Sequence, residues 1–250
     1  MRVAVVGGGI SGVAIEAALG AHGCSVTRLS RSSGFDVLAG DAGDAVDRLA
    51  SVRPQVIVEA TGRFTTSRRR ATDFFTRSTA VVGAAAERSG ARHVLLSILN
   101  CTRSEVQGYG YFAGKTAQER AAGAAGRGAT IVRSAQWFEF AAQNLERLRV
   151  GPIALVPRMT IAPVSLEAVA TVVAEVATGR RSAPVVEVAG PETTSLWAMT
   201  TALPHPGVVP VPMPIPGRTG RAFRDGALLP AGDVEVVGPT FDEWLAARDR

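Results

Sequence analysis

Two side chains four residues apart carry the first sign of chemistry: Tyr111 and Lys115, in the run Tyr111-Phe112-Ala113-Gly114-Lys115. Lys115 is the one lysine of the sequence; the rest of its 27 Lys+Arg are arginines, and there are two tyrosines. Residues 115–125 read as helix, and helical positions i and i+4 share a face about 6 Å apart along the axis. An ammonium held beside a phenol lowers the cost of phenolate, whose ordinary pKa is about 10. Such a pair can pass a proton to or from an alcohol or carbonyl oxygen. A half-buried tyrosine over a solvated lysine would give the same spacing, so the surrounding elements decide what it means.

Residues 2–6 form a short apolar strand, Gly7-Gly8-Gly9-Ile10-Ser11-Gly12 follows, and 13–19 reads as helix. Glycines at this spacing between strand and helix permit a tight turn and close approach of backbone to a diphosphate. Gly7, Gly9, Ile10, Ser11 and Gly12 are therefore expected to hold a dinucleotide. The second strand, 25–30, ends without the Asp or Glu that meets a free ribose 2′-hydroxyl. It offers Ser30 and Arg31 instead, and a guanidinium fork suits a 2′-phosphate. NADPH/NADP+ is favoured on this ground, with NADH left open.

Further along, 35–39 reads as a brief strand, 44–50 as helix and 55–60 as strand. A helix over 70–89 and a strand over 93–98 come next. In a parallel sheet the carboxyl ends of strands carry the ligand loops, which places Asp41 and Ala60-Thr61-Gly62 at the cofactor cleft. Ser97, at the end of its strand, can hold a substrate oxygen together with Tyr111. Residues 130–133 read as a sixth strand, so the spacing implies an α/β fold with a doubly wound parallel sheet.

In the second half, 135–148 reads as a helix bearing Trp137 and Phe138, expected at a substrate wall though equally at home in a core. Short strands at 153–156 and 160–164 precede a helix over 166–177 with Ser165 as its cap. Residues 185–188 form another strand, and Thr194 or Ser195 caps a short helix. Alternating prolines from Leu203 to Gly217 exclude helix and central strand and imply extended chain. The expected division is a nucleotide-binding core over 1–150 and a small cap over 151–250 that does not fold alone.

Composition narrows the partners. With 250 residues and 46% hydrophobic content, the chain can bury a substantial core. Two cysteines and three scattered histidines suggest no disulfide framework and no metal site. The net charge of +5 comes from dispersed arginines apart from Arg68-Arg69-Arg70, so a small-molecule substrate is expected rather than nucleic acid. The start reads as a strand rather than a signal peptide, and no apolar run suits a membrane. A cytoplasmic monomer or homodimer is the expectation.

The stretches VVGGGISG, LSRSSGFDVLAGD, TTSRRRATDFF, RHVLLSI, GYFAGKTAQE, TIVRSAQWFEF, VEVAGPE and GPTFDEWL, in this order, resemble the short-chain dehydrogenase/reductase superfamily. The nearer resemblance is to its atypical, NmrA-like, NAD(P)H-binding branch. The resemblance implies Tyr111 as acid/base, Lys115 on the nicotinamide ribose and Ser97 on the substrate oxygen. It also implies regulatory relatives that bind the cofactor without turnover, and others that oxidise transiently as epimerases or lyases. The sequence departs from the branch in its GxGxxG loop, where GxxGxxG is usual, in lacking Pro-Gly after residues 130–133, and in having Ile98 and Leu99 after Ser97.

Overall fold

The computed structural model describes residues 1–126, 128–205 and 207–248. In chain order it contains β1 (Arg2–Val6), α1 (Ile10–Ala21), β2 (Ser25–Leu29), α2 (Ala42–Ser51), β3 (Val56–Glu59), α3 (Arg68–Ser89), β4 (Arg92–Ile98), α4 (Gly110–Ala124) and β5 (Ala129–Ser134). Then come α5 (Glu139–Arg147), β6 (Arg149–Val150), β7 (Ile153–Pro157), β8 (Thr160–Ile161), α6 (Leu166–Thr178) and β9 (Val185–Ala189). The remainder is β10 (Thr194–Ser195), α7 (Leu196–Ala202), β11 (Val209–Met213), α8 (Gly217–Arg224), β12 (Glu235–Val236) and α9 (Phe241–Arg248). These residues form two compact units that interleave in sequence. The first comprises Met1–Ser97, Tyr109–Arg133 and Ala170–Val186; the second comprises Ile98–Gly108, Ser134–Val169 and the described residues from Glu187 on.

In the first unit, β1 pairs in parallel with both β2 and β3, and β3 with β4, giving the order β5-β4-β3-β1-β2. The chain reverses direction along the sheet at β1, which opens a crevice beyond the carboxyl ends of β1 and β3. Strand side chains alternate between faces, and the two faces are covered by different helices. Ala4, Val6, Leu29 and Ile57 pack with Leu49 of α2 and Val81, Val82 and Ala85 of α3. On the opposite face, Arg28 of β2 pairs with Glu16 of α1 at 2.6 Å, and the Arg92 guanidinium donates to the carbonyls of Val176 and Ala177 in α6. The architecture is thus α/β, with helices on both sides of a parallel sheet.

The expected strand at 35–39 does not form. Gly34 and Gly40 flank it with φ of +74° and +70°, and the Asp36 carboxylate accepts from Leu38 N at 3.0 Å, which bends the chain. Phe35 and Val37 instead drop into the core beside α2 and α3. The sheet accordingly has one strand fewer before β5 than the sequence suggests.

The second unit holds a three-stranded sheet, β11-β7-β6, and the short antiparallel pair β10-β8. Its interior includes Phe138, with Phe241 and Trp244 each 5.3 Å away between ring centroids. Ser165 caps α6 by accepting from Ala168 N at 3.2 Å, and Ser195 caps α7 by accepting from Ala198 N at 3.0 Å. The proline-rich stretch is extended, as its composition demands, and lies as the edge strand β11 parallel to β7. Pro206, within that stretch, lies outside the described residues. The expected helix from 135 starts later, at Glu139, because Trp137 first makes a backbone bridge to Val164.

Candidate active site

The β1–α1 turn is built by close approach. Gly7 has φ +151°, and a Cβ there would lie 2.5 Å from the Ala60 carbonyl oxygen. A Cβ on Gly12 would come within 2.1 Å of the Gly7 carbonyl oxygen, so α1 sits hard against its own turn. Gly9 differs: a Cβ there would meet nothing within 4 Å, leaving open space at the tip of the turn. The first turn of α1 carries no acidic residue, and no side chain caps it. Backbone donors and the positive end of the helix dipole are thus presented to an anion. These features fit a dinucleotide diphosphate, with Gly7, Gly9, Ile10, Ser11 and Gly12 around it.

The turn also meets the end of β2. A Cβ on Gly8 would lie 2.7 Å from Ser30 Cβ, and the Ser30 and Ser32 hydroxyls are 2.8 Å apart. Arg31 is exposed in the 3-10 turn that follows Ser30. Asp41 is engaged differently: its carboxylate caps α2, accepting from Gly43 N at 2.7 Å. Thr61 is half-buried and donates to Glu59 at 2.9 Å, while Gly62 is exposed.

Helix α4 starts at Gly110, so Tyr111 stands in its first turn and Lys115 one turn later. Both face Phe75 of α3. The Tyr111 ring meets Phe75 edge-on at 5.7 Å, and Lys115 Nζ lies 5.0 Å above the Phe75 ring. Glycines allow the two helices this proximity: a Cβ on Gly114 would sit 2.7 Å from the Phe75 ring and 2.8 Å from Ala71 Cβ. Lys115 is only 3% exposed. Its ammonium donates to the Leu96 carbonyl at 2.7 Å and to Gln118 Oε1. Tyr111 remains half-buried.

Beneath this pair lies a polar cluster that sequence reasoning missed. Glu59 is fully buried at the end of β3. It receives His93 Nε2 at 3.1 Å, Thr79 Oγ1 at 2.8 Å, Thr61 Oγ1 at 2.9 Å and Gln118 Nε2 at 2.8 Å. Burial pushes its pKa up, but the His93 bond and charge, with the Thr79 and Thr61 hydroxyls, outweigh this and hold it below the usual carboxylate value. A signal was available: Val56-Ile57-Val58-Glu59 puts an acid at the end of an apolar, buried strand.

Ser97 faces a second cluster. Its hydroxyl donates to Glu119 Oε1 at 2.6 Å, and Glu119 is held by Arg133 through bonds of 3.0 and 2.7 Å. The hydrogen expected on a substrate oxygen is therefore directed to a carboxylate here. In the second unit Phe138 is fully buried in its aromatic cluster. Trp137 is half-buried, its indole N–H donating to Ser134 Oγ at 2.9 Å. Among the described residues there is no group of His, Cys, Asp and Glu able to hold a metal ion, and no helix is long and apolar enough to cross a membrane.

No protein-family model matches the sequence, and no curated protein matches it. Solved structures do match. One is the NADPH-dependent quinone oxidoreductase QOR2 of Escherichia coli complexed with NADPH, with TM-score 0.66 and 15% identity over 99% of this chain and 100% of that one. The chain shares its fold. A hypothetical dTDP-4-dehydrorhamnose reductase of Sulfolobus tokodaii gives TM-score 0.61 and 18% identity over 81% of each chain. The UDP-N-acetylglucosamine 4-epimerase of Bacillus cereus gives 0.62 and 14% over 80% of this chain and 79% of that one.

Proposed function

We propose that this protein is an NADPH-dependent oxidoreductase of the short-chain dehydrogenase/reductase superfamily, in its NmrA-like branch, reducing a carbonyl or similarly polarised bond of a small molecule. The observation that carries the reading is Tyr111 and Lys115 set on one face of α4 against Phe75, together with the glycine turn at the end of β1. In this reading Gly7, Gly9, Ile10, Ser11 and Gly12 hold the diphosphate, and Ser30 and Arg31 meet the 2′-phosphate. Ala60, Thr61 and Gly62 border the nucleotide. NADPH supplies the hydride. Tyr111 gives its phenolic proton to the substrate oxygen, and the positive charge of Lys115 stabilises the phenolate that remains. Ser97 assists only when the substrate oxygen displaces Glu119 as acceptor of its hydrogen.

The test is nicotinamide oxidation against a panel of aldehydes, ketones and quinones, with Tyr111→Phe alongside. The expected loss is ~10²–10⁴-fold in kcat, the usual contribution of a positioned acid. Undiminished turnover in the variant would overturn the acid/base role. A second reading, a redox-responsive NADP(H) binder without turnover, draws support from the internal engagement of Lys115 and Ser97. It is favoured if NADPH binds and no member of the panel is reduced.

A further inference from the structure

Lys115 does not stand alone in the interior. Its ammonium is bonded to Gln118 Oε1, and the amide nitrogen of that same Gln118 donates to Glu59 Oε1 at 2.8 Å and lies 3.3 Å from Thr61 Oγ1. Both Gln118 and Glu59 are fully buried. The orientation of the amide is dictated by its neighbours. An ammonium only donates and a carboxylate only accepts, so the carbonyl end must face Lys115 and the nitrogen end Glu59. No other side chain of this length offers one acceptor and one donor at its tip. Glutamate would set a second carboxyl against Glu59, and methionine would leave both charged partners without this contact.

We propose that Gln118 is a positioning residue for Lys115, tying its ammonium to the buried Glu59–His93 pair and to Thr61. Glu59 is fixed from three other elements: His93 on β4, Thr79 on α3, and Thr61 after β3. It is therefore a stationary anchor, and Gln118 transmits that fixity across the gap to α4. Thr61 belongs to the segment read above as bordering the nucleotide. One amide thus sets the placement of the lysine relative to the loop that it must serve. The proposal rests on the reading of Lys115 as the ammonium of an NADPH site, but its geometry can be tested apart from that reading.

The single lysine makes the experiment direct. In protein labelled with 15N-lysine, Lys115 gives the one lysine ammonium resonance. Burial and the acceptors at Leu96 and Gln118 should slow proton exchange enough for that resonance to be seen in the wild type. In Gln118→Met the signal is expected to broaden beyond detection, with NADPH affinity at least tenfold weaker and the far-ultraviolet circular dichroism unchanged. Gln118→Glu, which keeps an acceptor for Lys115 but sets a carboxylate against Glu59 in place of the amide donor, is expected to shift and weaken the signal, and it serves as the test if the methionine variant does not fold. An unchanged ammonium resonance in either variant would overturn the proposal. If the wild type binds no NADPH, the functional reading falls, while the resonance still decides what Gln118 does for Lys115.

Discussion

Replacing Glu59 by leucine should be among the most damaging single changes in the first unit. The substitution removes the acceptor for His93, Thr79, Thr61 and Gln118 at once. The two threonine hydroxyls can turn to other acceptors, as hydroxyls rotate freely. The His93 ring loses its carboxylate and the Gln118 amide keeps only the longer 3.3 Å contact to Thr61 Oγ1, and each buried donor left unpaired or weakly paired costs up to about 1–3 kcal/mol. Two such donors give roughly 2–6 kcal/mol, in line with the ~3–5 kcal/mol typical of breaking a buried pair by deleting one partner. Against a total stability of about 5–15 kcal/mol for an ordinary domain, the loss is large. Urea unfolding at pH 7, followed by tryptophan fluorescence, reads it as a lower midpoint. Glu59→Gln keeps an acceptor for Thr79 and Gln118 and should cost about 1 kcal/mol, the worth of a single bond. The same pair of proteins tests the acid limb. Because the folded pKa of Glu59 lies below the ordinary value of 4.5, its stabilisation is fully present above that value. It is lost as pH falls through the lowered folded pKa. Glu59→Gln should flatten that part of the curve. A leucine variant within 1 kcal/mol of wild type, or a glutamine variant as damaged as the leucine one, would refute the reasoning, the yardstick being one net hydrogen bond of about 1 kcal/mol.

Two further outcomes are expected. Gly12→Ala drives a Cβ to 2.1 Å from the Gly7 carbonyl, a backbone atom that cannot swing aside; α1 must back away from the turn, weakening NADPH binding in a fluorescence titration and lowering stability by about 1–3 kcal/mol, so an unaltered Kd would count against the cradle. Glu139→Gln addresses the opposite kind of carboxyl: burial first, and Glu167 also, raise its pKa, against bonds from its own amide and that of Leu166. A raised folded pKa means that wild-type stability falls as pH rises from the unfolded value through the folded one. The variant should therefore gain on wild type as pH rises from the ordinary carboxylate value of 4.5 in paired urea titrations, and a constant difference would contradict the assignment.

The parts of the fold that were legible in sequence are those where local pattern and tertiary demand agree. Residues 2–6 followed by spaced glycines specify a strand, a turn and a helix without outside help, and α3, β4 and β5 fall near their expected bounds. Residues 35–39 misled because Phe35, Val37, Leu38 and Ala39 make a short, mostly apolar run of the kind a buried strand shows. The bend at Asp36 and the two left-handed glycines around it stop the ladder. Tyr111 and Lys115 were legible as a pair, since spacing alone puts them on one face. Their surroundings were not. Glu59, His93 and Gln118 are 34 and 25 residues apart in sequence, and only parallel pairing of β3 with β4 under α4 brings them together. Phe138 was ambiguous between pocket and core in the sequence, and the fold places it wholly inside an aromatic cluster with Phe241 and Trp244.

The edge strand β11 has a consequence for how copies of this protein can meet. Val209 N donates inward to the Pro152 carbonyl at 2.7 Å, so the alternate positions, Pro210 and Pro212, present their backbone to the outer margin. Neither imino acid has a proton to give there. A stranger's backbone arriving alongside would find acceptors but no donors, and no ladder could grow. This margin is sterile to sheet extension by its chemistry, and a copy meeting the unit along β11 must hold on through side chains.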